Sequence, residues 1–113
     1  MKKKILYSFI GLAALLLCMP DNLHARKFRV MTFNIRLLTT ADGDNIWTNR
    51  SQQVCNFIAG KKPDVFGVQE ATKTQMDDLT QHLDKYAFVG VGRDDGKEKG
   101  EYSPVFYNKE KYR

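Results

Sequence analysis

Two polar side chains stand at the ends of apolar runs and are the first candidates for chemistry. Asn34 closes "FRVMTFN", and Glu70 closes "PDVFGVQE". A carboxylate can ligate a divalent cation, and an amide can serve either a cation or a phosphate. Each also has a plain structural reading. Glu70 can be a solvated strand end, or a carboxylate near the dipole of a following helix. Asn34 can be a turn-forming amide. Other candidates fail on spacing. "DGDN" (42–45) begins like a calcium loop, but Ile46 and Trp47 stand where a ligand and a glycine belong, and position twelve is Gln53. It reads as a polar turn. "GVGRDDG" (90–96) has Asp95 where a dinucleotide fingerprint needs its third glycine, and no helix follows. His82 sits beside Leu79 and Leu83 on a helical pattern and reads as a surface or flanking residue. There is no HExxH, no paired cysteines and no phosphate-cradling GxxxxGK.

The elements that must position Asn34 and Glu70 follow from periodicity. "FRVMTFNI" (28–35) alternates β-branched and aromatic residues and predicts a strand. Residues 37–46 carry Gly, Asp and Asn and predict a loop. From Trp47 the apolar residues Val54, Phe57 and Ile58 fall at helical spacing. Thr48 or Ser51 is the expected cap of that helix, and Gly60 its expected stop. Pro63 forces a new element, and Val65 to Gln69 reads as a short strand. Thr72 and Gln75 form a capping box. A second helix is expected over 73–84, a third strand over 86–92, a charged loop over 93–100 and a fourth strand over 102–107. Pro104 either weakens the fourth strand or places it at a bulge or a sheet edge. Strand, helix, strand within 28–69 is a βαβ unit, so its two strands should run parallel. Both would then end on one edge of the sheet, where α/β proteins bind ligands. Trp47, Arg50 and Tyr102 read as packing and loop-anchoring residues.

The first quarter of the 113 residues reads differently. Lys2, Lys3 and Lys4 precede the apolar run Ile5–Leu17, and a polar stretch ending in Ala25 follows. This order predicts a signal peptide over 1–25 and a secreted or periplasmic protein. The apolar run is well short of the roughly 20 residues that span a bilayer, so no transmembrane helix is expected. "LLLC" leaves a lipid anchor at Cys18 as an alternative. Loss of Lys2, Lys3, Lys4 and Asp21 with the leader lowers the net charge from +5 to +3. The mild excess of base, with lysines and arginines scattered along the chain, implies no stable nucleic-acid partner. Cys55 is the only cysteine after residue 25, which excludes an internal disulfide and reads as a buried, inert thiol. A monomer is expected.

"VMTFNIR" (30–36), "PDVFGVQE" (63–70) and "GEYSPVFYNKEKYR" (100–113) occur in an order and spacing that resemble the amino-terminal part of the endonuclease/exonuclease/phosphatase superfamily. "DGDNIWTNR" and "GVGRDDGKEKGEY" look like a secreted bacterial branch. The resemblance implies an α/β fold, the amino-terminal part of a four-layer α/β sandwich, with a βαβ unit followed by a helix and β-hairpin-like strands. It makes residues 26–113 a truncated part of one domain. It implies hydrolysis of a phosphate ester assisted by Mg (or Mn). Glu70 resembles the family's metal-binding glutamate. Asn34 resembles an asparagine that binds metal or phosphate. Glu101 resembles a glutamate that orients a catalytic histidine; its other reading is a loop charge beside Lys99. The family's later histidine, Asp-x-Asn pair and Asp-His do not occur in this sequence, so the chain alone is expected to be inactive. The alternative is a non-catalytic phosphate-binding module, secreted or lipid-anchored.

Overall fold

In the computed structural model, residues 26–113 are described. The leader and Cys18 lie outside the described residues. Four strands and two α-helices follow the sequence: β1 (Val30–Asn34), α1 (Trp47–Lys61), β2 (Val65–Gln69), α2 (Lys73–His82), β3 (Tyr86–Val89) and β4 (Val105–Asn108). The loop expected after β1 contains a short 3-10 helix, Thr40–Asn45. The strands form one sheet in the order β1-β2-β4-β3. β1 and β2 run parallel, with Val30 opposite Val65 and Asn34 opposite Gln69. β4 runs antiparallel to both β2 and β3.

The alternation of each strand decides which face is covered. Phe66 and Val68 of β2 and Phe106 of β4 are fully buried under the helices. Trp47 and Ile58 of α1 and Leu79 of α2 meet them from above, each with no exposed surface. The Phe66 and Phe106 rings stack at 4.7 Å, and Tyr86 meets Phe66 edge-on at 5.1 Å. Each such side chain contributes roughly 1.5–3 kcal/mol by leaving water. Cys55 is 1% exposed, and burial pushes its thiol up to about 11, which keeps it protonated and unreactive. The other face of the sheet carries the exposed Val30, Val89 and Val105.

Three expectations need correction. α1 does not stop at Gly60. It continues to Lys61, and Lys62 takes the left-handed cap at φ 50°. Nor do Thr48 or Ser51 cap its start: Ile46 holds that position without a side-chain cap. β4 is not an edge strand but lies between β2 and β3. The bulge alternative holds, since the pairing shifts by one residue from Gly67–Val105 to Ala71–Tyr102, so that Gln69 and Glu70 together oppose Ser103 next to Pro104. Pro104 falls just before β4, and there the missing N–H costs nothing: the Pro104 carbonyl accepts from the Val68 N–H at 3.1 Å.

At the start of β2, Asp64 is 3% exposed. Its carboxylate accepts from the Arg29 N–H (2.8 Å), Lys111 Nζ (3.0 Å) and the Tyr112 hydroxyl (3.2 Å). The Arg29 N–H first, and then Lys111, hold its pKa below the usual carboxylate range. A depressed pKa contributes stability that is present above the unfolded-chain value and lost as pH falls through the folded value. The acid limb of the stability curve, below about pH 4, should therefore be shallower in Asp64→Asn. Fluorescence-monitored unfolding across that range reads the slope directly.

Candidate metal and phosphate site

The parallel β1–β2 pair brings Asn34 and Glu70 together at one edge of the sheet. Asn34 Nδ2 donates to Glu70 Oε1 at 3.0 Å. The Leu37 N–H donates to Oε2 at 3.3 Å. These two bonds, Asn34 first, lower the Glu70 pKa, and Arg36 nearby adds to the effect. Glu70 is thus ionised at neutral pH, and its carboxylate is oriented through both oxygens.

The backbone bends sharply on both sides of this contact. Arg36 and Glu70 adopt the left-handed conformation, at φ 60° and 63°. Neither is glycine, so each carries a conformational cost that the surroundings must offset. For Arg36 the offsets are visible. Its N–H donates to Asn34 Oδ1 at 2.9 Å, and its guanidinium forks onto Asp42 at 3.0 and 3.1 Å.

Two side chains reach in to fix the loop after β1. Arg50 of α1 donates to the carbonyls of Ile35 (2.7 Å), Arg36 (3.1 Å) and Asn45 (2.9 Å). Its guanidinium also lies 5.3 Å from the Trp47 ring centroid. Gln75 of α2 is fully buried. Its Oε1 accepts from the Leu38 N–H at 2.9 Å and the Thr72 N–H at 3.0 Å, and its Nε2 donates to the Arg36 carbonyl at 2.7 Å. The capping box expected from the sequence is present. Its glutamine also clamps the segment that supplies the Leu37 N–H to Glu70. Nothing in the sequence signals that second role, which spans 37–39 residues.

Glu101 stands apart from the pair. It bonds Arg93 at 2.9 Å and lines a pocket of about 440 Å³ with Leu37, Thr72 and Lys73. Through Leu37 that pocket adjoins the Glu70 carboxylate. A groove of about 840 Å³ between β1 and Phe57 lies elsewhere, and no carboxylate lines it. His82 is exposed on α2, with Nδ1 against the Asp78 carbonyl, at the far end of the domain.

This chain is similar to a solved endonuclease/exonuclease/phosphatase from Bacteroides vulgatus. They share 46% identity over 74% of this chain and 32% of the other, with a TM-score of 0.72. The chain belongs to the endonuclease/exonuclease/phosphatase family. A mannosyl-6-phosphatase from Bacteroides thetaiotaomicron is 34% identical over 74% of this chain and 32% of its own, at a TM-score of 0.71. TDP2 from D. rerio, at 20% identity and a TM-score of 0.57, shares the fold. The chain spans about a third of the length of these structures. No family model and no curated protein matches the sequence.

The donor set of the Asn34–Glu70 pair fits a hard divalent cation of the kind such a family implies. Glu70 offers one ionised carboxylate with lone pairs beyond its two hydrogen bonds, and Asn34 Oδ1 keeps a lone pair beyond the Arg36 N–H. A magnesium ion takes one or two protein oxygens and retains water in its other positions. Among the described residues no group of three or more His, Cys, Asp or Glu side chains is placed to hold a metal. The fit is therefore to a cation held sparsely, not caged.

Proposed function

We propose that residues 26–113 form part of a metal-dependent hydrolase of phosphate esters. The observation that carries this reading is Glu70, an oriented carboxylate on a left-handed residue, 3.0 Å from Asn34 at the carboxyl ends of two parallel strands. The similarity to a mannosyl-6-phosphatase supports phosphate-ester hydrolysis as the reaction class. Glu70 would hold Mg or Mn. Asn34 orients the carboxylate through Nδ2 and presents Oδ1 to the cation or its phosphate ligand. A cation bound there supplies charge stabilisation for phosphoryl oxygens and leaving group. Glu101 is the candidate for positioning a catalytic histidine supplied by the remaining length of such an enzyme. In this chain Arg93 holds it. Acting alone, residues 1–113 supply a cation and phosphate foothold without a general base, and should not turn over substrate.

Manganese titration followed by NMR tests the assignment. Paramagnetic broadening should centre on the amides of Asn34, Leu37 and Glu70 and vanish in Glu70→Gln. Broadening centred on the Asp94–Asp95–Glu98 loop instead, or unchanged in the variant, would overturn it. In parallel, magnesium-dependent release of phosphate from a generic phosphate ester should stay at the blank level for the isolated chain.

A further inference from the structure

The lysines and arginines that look scattered in sequence gather in space. β1, β2 and β3 all begin at one end of the sheet, where β4, α1 and α2 end. The segments at that end, residues 26–29, 59–64, 82–86 and 108–113, hold nine bases and three acids. The rest of residues 26–113 holds six bases and nine acids. The domain is therefore polarised, with a basic pole opposite the Asn34–Glu70 edge. Contacts between segments confirm that the pole is one surface. Lys109 N–H bonds the Lys85 carbonyl, Arg29 reaches the Lys61 carbonyl, and Lys111 pairs with Asp64. Of the three acids there, Asp64 is buried and already neutralised. Lys61, Lys62, Lys85 and Lys109 are exposed, and among the described residues none has a carboxylate at bridging distance.

Two of these bases need no explanation beyond the fold, since Lys61 and Lys62 end α1 and complement its dipole. Lys85 and Lys109 have no such role. They sit on strand-end turns, side by side across the β3–β4 pair. The chain enters this pole through Arg26 and Lys27, and only eight residues separate Arg26 from the apolar run Ile5–Leu17. On the lipid-anchor alternative, only seven residues join an anchor at Cys18 to this basic surface, which gives the two-part form of peripheral membrane attachment, one hydrophobic element and one polybasic element.

We infer that the basic pole docks on an anionic lipid surface, which turns the Asn34–Glu70 edge outward, away from the membrane. The acidic excess at the far end reinforces that orientation, because an anionic surface repels it. A nucleic-acid backbone would also be drawn to positive charge. Two exposed aromatics adjoin the pole, but neither ring is free to stack a base: Phe28 leans on Tyr112 at 5.7 Å, and Phe57 meets Phe33 at 5.5 Å and carries Lys61 Nζ at 5.2 Å.

The test is co-sedimentation of the full 113-residue chain with phosphatidylglycerol-containing vesicles and with pure phosphatidylcholine vesicles at low salt. The leader and its Lys2–Lys4 stay constant throughout. The double variant Lys85→Gln/Lys109→Gln should lower partitioning onto the anionic vesicles about tenfold or more, on the basis of roughly fivefold per lysine near the surface. It should leave the phosphatidylcholine result unchanged. Lys97→Gln/Lys99→Gln, equal in charge but at the opposite end, should change the anionic result by less than about twofold. Unfolding curves of both variants should match the parent, since neither lysine pair makes a bridge. Equal losses in the two double variants would overturn the inference. So would loss of duplex-DNA binding in Lys85→Gln/Lys109→Gln with vesicle binding intact. Neither result bears on cation binding at Glu70, so failure here leaves the hydrolase assignment to its own test.

Discussion

Trp47→Ala should remove about 4 kcal/mol of stability, the largest loss of any single change considered for this domain. Trp47 opens α1 with its whole side chain buried. Alanine there leaves a cavity the size of an indole, and the surrounding core relaxes only partly. The change also strips Asp78 of the indole N–H that it accepts at 2.7 Å. It removes the ring against which the Arg50 guanidinium lies. A domain of this size holds roughly 4–13 kcal/mol in all. The variant should therefore be largely unfolded near its parent's working temperature, with the midpoint lowered by 15 °C or more at about 4–8 °C per kcal/mol. Trp47→Phe separates the parts. It keeps most of the volume, loses the hydrogen bond, and should cost about 1–2 kcal/mol. Denaturant unfolding of parent and both variants measures the series. Equal costs for alanine and phenylalanine would mean that the Asp78 bond, not the buried volume, dominates.

Gln75→Leu should cost about 2–3 kcal/mol although the side chain keeps nearly its size and stays in the core. The reason is the partners left behind. The Leu38 and Thr72 N–H groups and the Arg36 carbonyl all lose the bonds Gln75 supplies. The same change frees the loop that delivers the Leu37 N–H to Glu70. On the cation reading, manganese broadening at residues 34 and 70 should weaken as well, at temperatures where the variant is still folded. Thr72→Ala removes only the hydroxyl contact at the helix start and should cost about 1 kcal/mol with broadening retained. A Gln75→Leu variant that unfolds as the parent does would show that water replaces the clamp without loss.

These two residues also mark how far the sequence could be read. Trp47 and Arg50 were legible as packing and loop-anchoring residues because a helical period begins at Trp47. The meeting of Asn34 with Glu70 was legible too, since a βαβ crossover makes strands parallel and parallel strands end together. What the pattern could not carry is tertiary. A capping glutamine has the same spacing whether or not it also grips a loop 37–39 residues away. The left-handed turn at Glu70 has no glycine or asparagine to announce it. The stop of α1 was misplaced because Gly60 drew the boundary that Lys62 in fact makes. The bases looked scattered because six chain ends alternate along the sequence while converging on one pole in space. Pro104 suggested an edge or a bulge, and of the two only the bulge is present, with Gln69 and Glu70 opposite Ser103 beside a central β4.

The position of β4 governs when this domain can take shape. Along the sheet the strands lie in the order one, two, four, three, so among the described strands the fourth in sequence fills the middle. As residues 30–69 leave a ribosome, β1 and β2 can already pair. β3 then emerges with Tyr86 able to reach Pro63 and Phe66 but with no strand to pair with, because among the described residues β4 is its only strand neighbour. Phe66 and Tyr86 likewise wait for the Phe106 ring that completes their cluster. The nascent chain thus stays open until Val105–Asn108 arrive, when one short strand closes two interfaces together. Closure that waits on β4 leaves apolar surface uncovered while residues 90–104 emerge and couples the β2–β4 and β4–β3 interfaces into one step.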